Sequence, residues 1–224
     1  MLAEIEAKME ASCARTGRMR SEVLLVAVSK SQHVKAIAKM YERGLRDFGE
    51  NRVQELLRKR ESLPANIRWH FIGNLQSNKV KYLAPFVHSV HSVNSQAIAL
   101  ELSKRAKEAK RTIPILIEVN MSYEAQKQGM DPGKVEDLVL FIAQNCTDLS
   151  VSGLMGMASF EENPENTRPQ FRKLRELRDK IRERHPELKS FKELSMGMSN
   201  DFEVAIEEGA TIVRIGSALF EGDH

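Results

Sequence analysis

The chain has 224 residues, 42% hydrophobic and 29% charged, with a net charge of +3 at neutral pH. That length suits one large domain, commonly a strand–helix barrel, and buries enough surface to fold without a covalent or metal staple. The small net charge argues neither for nor against an acidic partner, and no apolar run reaches the length of a membrane span.

The first segment, MLAEIEAKMEASCARTGR, is amphipathic and acidic near its start. It lacks the continuous apolar stretch of a leader peptide, so a cytoplasmic protein is expected. It reads as an extra N-terminal helix with no strand partner, capping or flanking the rest of the domain. Cys13 and Cys146 lie far apart, in neither a metal nor a redox spacing. Free thiols are expected, although spacing alone leaves a disulfide open.

Strands are predicted at 23–28, 46–48, 67–72, 87–90, 113–119, 149–154, 193–195 and 211–215. Between them, apolar residues recur at helical spacing, as in Val34, Ile37, Ala38 and Tyr41, or Phe171, Leu174, Leu177 and Ile181. LLVAV, IPILIEV and TIVRI are too apolar to have one wet face, as in parallel sheets covered on both sides. Eight strand–helix repeats with short connections predict a single (β/α)8 TIM barrel over residues 1–224. The shortness of 46–48 and 193–195 leaves an open doubly wound sheet as the alternative. The most loop-like stretch, EENPENTRP, runs straight into a helix pattern, so no interdomain linker is expected.

In such a barrel, chemistry gathers at the C-terminal ends of the strands. Lys30 directly follows VLLVAVS. A strand could hold its stem while a desolvated amine becomes nucleophilic towards aldehydes. From position alone, a solvated surface lysine is the more ordinary reading. Two glycine- and serine-containing loops, SMGMSND and IGSALFEG, follow the last two strands, where phosphate sites of these barrels commonly form. Gly197 and Gly216 allow close backbone approach, Ser199 and Ser217 add hydroxyls, and a helix is predicted to start near Asn200. Ordinary helix capping accounts for the same residue types. Arg214, inside TIVRIG, must find a partner when buried; a ligand nitrogen and a carboxylate are both open.

His88 and His91 stand three apart in VHSVHS, a spacing that suits a helix better than the strand predicted there. With no cysteine or carboxylate cluster beside them, no metal site is expected. The segment QFRKLRELRDKIRERH carries seven basic residues against three acids, but it has an apolar stripe and no aromatic or groove-reading partners. It reads as a solvated helix, and no nucleic-acid partner is expected.

Eight stretches, in order along nearly the whole chain, resemble the pyridoxal phosphate homeostasis protein family. They are VAVSK (26–30), DFGENRVQE (47–55), WHFIGNLQSNK (69–79), HSVNS (91–95), LIEVN (116–120), GLMGM (153–157), ELSMGMSNDFEVAIEEGAT (193–211) and VRIGSALFEG (213–222). Asn94 stands where the family usually has Asp, and EGDH closes the chain early. The resemblance implies a barrel like the N-terminal domain of alanine racemase, holding pyridoxal 5'-phosphate as a Schiff base on Lys30. It implies a phosphate cup at Ser199, Gly216 and Ser217 and the ring nitrogen near Arg214, with Ser195, at the start of SMGMSND, counted among the cofactor-binding residues. Asn51 and His70 would line the mouth.

What the resemblance implies about activity is a non-enzymatic binder that buffers the cofactor or delivers it to apoenzymes. A cofactor-dependent amino-acid racemase is the alternative. Racemisation needs a proton donor on each face of the substrate, and in racemases of this fold the second comes from a further β-rich domain. This chain closes soon after its last strand, so that base is expected to be missing, with Tyr123 or His70 as the only stand-ins. No catalytic residue, no membrane contact and a monomer are expected.

Overall fold

The structure, a computed structural model, describes residues 1–121 and 129–220. Eight parallel strands close into a barrel in sequence order: β1 (Leu24–Val28), β2 (Asp47–Glu50), β3 (Arg68–Phe71), β4 (Ser89–Val93), β5 (Ile113–Val119), β6 (Leu149–Gly156), β7 (Glu193–Ser195) and β8 (Ile212–Ile215). The doubly wound alternative is thereby removed. Around the strands stand α2 (Val34–Glu42), α3 (Val53–Glu61), α4 (Ser77–Leu83), α5 (Gln96–Glu108), α6 (Val135–Asn145), α7 (Arg168–Arg184), α8 (Phe202–Glu207) and α9 (Ser217–Phe220). The extra helix α1 (Leu2–Arg15) precedes them.

Helix α1 buries Ile5, Met9 and Cys13, residues four apart that form one stripe. Beyond it, Arg18 Nη1 donates to the carbonyls of Ile206 and Ala210, at 3.1 and 2.9 Å, which ties the segment to α8 and the loop after it. Cys13 and Cys146 are both buried free thiols. Among the described residues, no helix is long and apolar enough to cross a membrane.

Strand alternation divides the core in two. Leu25 and Ala27 of β1 join the large cluster between barrel and helices, whereas Leu24 and Val26 meet Leu116, Met155 and Ile212 in a small cluster inside the barrel. Unlike a barrel filled throughout by branched apolar side chains, this lumen also takes in buried polar residues: Asp47, His70, Ser89, His91, Ser195 and Arg214.

Three strands run two or three residues past the sequence reading: β6 continues to Gly156, and β2 and β4 are also extended. β2 runs past Phe48 to include Gly49 and Glu50, because Gly49 and Glu50 pair with His70 and Phe71. β4 begins at Ser89 and reaches Val93, so His91 lies in the strand and His88 in the bend just before it. The misreadings at β2 and β4 come from polar residues placed where a barrel wall needs them: facing the lumen, or towards a buried counter-charge.

Candidate functional site

Lys30 lies just beyond β1, in a turn whose next residue, Ser31, adopts φ +62°. The turn is held from behind. Ser29 donates its hydroxyl to Glu50 Oε1 at 2.6 Å and its amide to the Gly49 carbonyl at 3.0 Å. The Ser31 amide donates to Glu55 Oε1 at 2.9 Å. Beneath it, Lys59 of α3 is buried and uses all three ammonium protons: on the Ser29 carbonyl (2.7 Å), Glu50 Oε1 (2.7 Å) and Glu55 Oε1 (2.6 Å). Ser29 therefore faces the helices, and strand alternation leaves Lys30 on the lumen side. Its side chain is exposed at the mouth, not enclosed by the strand. Nothing in the local sequence pointed to Lys59, since its partners lie four, nine and thirty residues away.

On one flank of Lys30, β1 pairs with β2 through Val28 and Gly49, which places half-buried Asn51 two residues further on. Gly73 fixes that loop. A Cβ on Gly73 would stand 2.1 Å from the Asn51 carbonyl oxygen, so the two backbones meet only because residue 73 has no side chain.

On the other flank, β1 pairs with β8, whose C-terminal end carries the second loop. The amides of Gly216 and Ala218 both point at the Ser199 hydroxyl oxygen, at 3.3 and 3.4 Å. Gly197, with φ +92°, makes the bend that brings Ser199 there; a Cβ on it would press against Ala205 at 2.6 Å. Ser217 is exposed at the rim. The helix expected near Asn200 begins at Phe202, because Asp201 turns back to accept the Met198 amide at 2.6 Å.

Below the mouth, Arg214 projects from β8 into the lumen, where it is 3% exposed. Nη1 donates to Ser195 Oγ at 2.6 Å and Nη2 to the Gly156 carbonyl at 3.1 Å. Burial pulls this guanidinium down to about 10, against the opposing pull of the Asp201 and Glu118 carboxylates, so it is cationic at neutral pH. Glu118, on the same lumen face of β5, keeps its Oε2 without a hydrogen-bond partner, and burial pushes its carboxyl up. Sequence reasoning passed over Glu118; the signal available was a lone acid in IPILIEV.

From Arg214 a line of side chains runs down the lumen. Ser195 Oγ is 3.0 Å from His91 Nδ1, and His91 Nε2 is 2.8 Å from Ser89 Oγ. Ser89 Oγ is 2.7 Å from His70 Nδ1, and His70 Nε2 is 2.9 Å from Asp47 Oδ1. Arg68 closes the line on Asp47 with both a 2.7 Å bond from Nε and a second bond from Nη2. Desolvation holds the His91 ring well down, so it is neutral. One polarity then satisfies every atom: Arg214 donates to Ser195, Ser195 to His91, His91 to Ser89, Ser89 to His70, and His70 to the Asp47 carboxylate.

His70 thus departs from its predicted place. It belongs to β3, is 2% exposed, and its bonds lead towards the first residues of β2 and β4, away from the mouth. His88 and His91 also part company: His91 is sealed in the lumen, while His88 sits at the floor beside His70, with ring centroids 5.1 Å apart. Tyr123 lies outside the described residues. The basic helix α7 buries its apolar stripe at Phe171, Leu174 and Ile181 and exposes most of its charges, as expected; Arg168, Arg172 and Arg175 also clasp Glu208.

An eight-stranded barrel with a lysine turn, a buried arginine and a backbone-amide cup along one seam defines an alanine-racemase-type domain. The family model described as "Alanine racemase, N-terminal domain" matches residues 2–223. Curated relatives include the pyridoxal phosphate homeostasis proteins of Aquifex aeolicus and Vibrio cholerae. The first is 44% identical over 98% of this chain and 95% of that protein; the second is 39% identical over 96% and 92%. The solved structure of PipY from Synechococcus elongatus, described as having PLP bound, superimposes with a TM-score of 0.82 at 33% identity, covering 95% of this chain and 99% of that one. Alanine racemase from Streptomyces lavendulae shares the fold, with a TM-score of 0.71 at 18% identity over 97% of this chain and 56% of that one. The chain belongs to the pyridoxal phosphate homeostasis protein family.

Proposed function

We propose that this chain, acting as one domain, holds pyridoxal 5'-phosphate for buffering or delivery to cofactor-dependent apoenzymes, without turning over a substrate. The observation that carries this reading is the seam β7–β8–β1. Along it lie an exposed amine at the mouth, two amides converging on a serine hydroxyl, and a buried cationic arginine deeper in the lumen. An aldehyde, a phosphate and a pyridine nitrogen need those three chemistries, and the donor set fits them. Lys30 supplies the amine for covalent attachment. Ser199, Gly216 and Ser217 supply hydroxyl and amide donors for the phosphate. Arg214, steadied by Ser195, would serve the ring nitrogen, and Asn51 borders the mouth. His70 acts from below, through His91 and Ser195.

Bound pyridoxal phosphate would offer an electron sink to an attached amine. A cationic arginine at the ring nitrogen keeps that nitrogen unprotonated and weakens the sink. His70, the described candidate for a second proton donor, has both nitrogens engaged inside the lumen. These two observations favour a holder over a racemase, in line with the relatives' names. Lys30's exposure leaves the bound aldehyde within reach of a recipient. The two unpaired thiols support a cytoplasmic setting, and pairing of the α7 arginines with acids supports a protein that does not bind nucleic acid. We take the working unit to be a monomer.

Borohydride reduction followed by peptide mass analysis tests the attachment. The cofactor's mass is expected on Lys30, and Lys30→Ala is expected to lose both the mass and the visible absorbance. Labelling elsewhere refutes the assignment. Steady α-proton exchange of L-amino acids in deuterated water, abolished by Lys30→Ala, would instead make the protein an enzyme.

A further inference from the structure

The opposite end of the barrel carries chemistry that cofactor holding leaves unused. A cavity of about 590 Å³ opens among the N-terminal ends of the strands, lined by Asp47, Arg68, His70, His88 and Ser89 together with the loop before β1. We propose that Asp47, His70 and His88 form a site for one divalent transition-metal ion, zinc by ligand type.

The three side chains already stand close to metal-binding distance. One ligand atom from each lies within 4.8 Å of the other two. Tetrahedral zinc with bonds of about 2.0–2.2 Å holds neighbouring donors roughly 3.3 Å apart. Asp47 Oδ1 and His70 Nε2 are already 2.9 Å apart, so they need only part slightly. The exposed His88 ring can swing to complete the set, and the cavity leaves room for water in the fourth position.

The surroundings fit as well. A metal-bound histidine is normally anchored through its other ring nitrogen, and His70 Nδ1 meets Ser89 Oγ at 2.7 Å. Arg68 grips the carboxylate partly through Oδ2, which leaves Oδ1 able to exchange its bond from His70 for a metal. The proton on His70 Nε2 moves to Nδ1, which donates to Ser89 Oγ; that oxygen then accepts from both His70 and His91, and the Ser89 hydroxyl proton turns into the cavity that Ser89 lines. Asp47 and His88 are also held towards the forms that bind a metal. Burial pushes Asp47 up, yet hydrogen bonds from His70 and Arg68 outweigh it and bring the carboxyl down to about 2, while desolvation and the neighbouring His70 push His88 down.

The opposing force is Arg68, a cation beside the would-be metal. Its side chain is 48% exposed, so water screens much of the repulsion.

Zinc titration of the cofactor-loaded protein against a chromophoric chelator tests the site. One equivalent per chain is expected. His88→Ala, which removes one of the three ligands at an exposed ring, is expected to weaken binding by about 100-fold or more, beyond the 10–100-fold typical of losing an outer-shell partner. That variant should keep its cofactor absorbance and melting temperature, and His185→Ala, on a remote helix end, should bind like the parent. Cobalt(II) in place of zinc should show visible ligand-field bands that disappear in His88→Ala and in Asp47→Asn. Absence of stoichiometric zinc, or unchanged affinity in His88→Ala, overturns the proposal. Neither result bears on whether Lys30 holds the cofactor.

Discussion

Arg214 Nη1 and Ser195 Oγ meet at 2.6 Å inside a lumen where neither side chain sees water. The bond sets the plane of the guanidinium, and Ser195 can pass its own proton only to His91. Ser195→Ala removes an acceptor from a charged donor and leaves His91 Nδ1 unmatched. Charge-assisted bonds of this kind contribute about 1.5–3 kcal/mol, so pyridoxal phosphate is expected to bind roughly 10–100-fold more weakly. Fluorescence titration measures this. Affinity equal to the parent would mean that Ser195 does not position Arg214.

Lys59 should matter to the lysine turn although it never reaches the mouth. Its removal leaves the Glu50 carboxylate buried beside Ser29, with Oε2 already unpartnered and burial pushing the carboxyl up. Breaking a buried pair from one side typically costs about 3–5 kcal/mol. Lys59→Met is therefore expected to lower urea stability by that amount and to slow cofactor attachment. Adding Glu50→Gln should recover part of the stability, because the stranded charge is then gone. No recovery would assign the loss to packing alone.

Gly73→Ala tests the loop contact that holds Asn51. The new Cβ would fall 2.1 Å from the Asn51 carbonyl oxygen, and backbone cannot move aside as a flexible side chain can. A loss of about 2 kcal/mol or more in stability is expected, with weaker cofactor binding, measured on the same sample. Gly44→Ala offers a contrast: its Cβ would meet nothing within 4 Å, and any cost there comes from its φ of +100° alone.

These contacts differ in how far they could be read from sequence. The LLVAV run declared its strand and set Lys30 at the strand's end, because both signals are local; the side Lys30 faces follows from the bonds that turn Ser29 towards the helices. Gly49 and Glu50 fell beyond the predicted strand; they are strand because His70 and Phe71 pair with them and Lys59 neutralises the acid. His70 was expected at the mouth, since a strand's end in sequence does not give its height in a barrel. The line from Arg214 to Asp47 joins strands 167 residues apart at its ends, counting from Asp47 to Arg214. Only barrel closure brings those lumen positions together. The resemblance named the residues of the mouth, but it said nothing of the floor, where His88 meets Asp47.

The clasp between α7 and Glu208 makes stability depend on pH. Glu208 is 4% exposed and meets Arg172 Nη2 at 2.9 Å, Arg175 Nη1 at 3.1 Å and Arg168 Nη1 at 3.3 Å. Burial alone would raise its carboxyl; bonds from Arg172 and Arg168, with the charge of Arg175, outweigh burial and hold it below its ordinary value of 4.5. The folded state therefore binds this proton less readily than the unfolded chain. Stability from Glu208 is full above pH 4.5 and drains away as acid titrates the folded carboxyl. At neutral pH, Glu208→Gln is expected to cost about 2 kcal/mol, the scale of hydrogen bonds to a charged group. As the pH falls below the ordinary carboxylate range, the two proteins should converge in urea melts. A gap that stayed constant down to acid pH would show that shape, and not charge, holds α7 to α8.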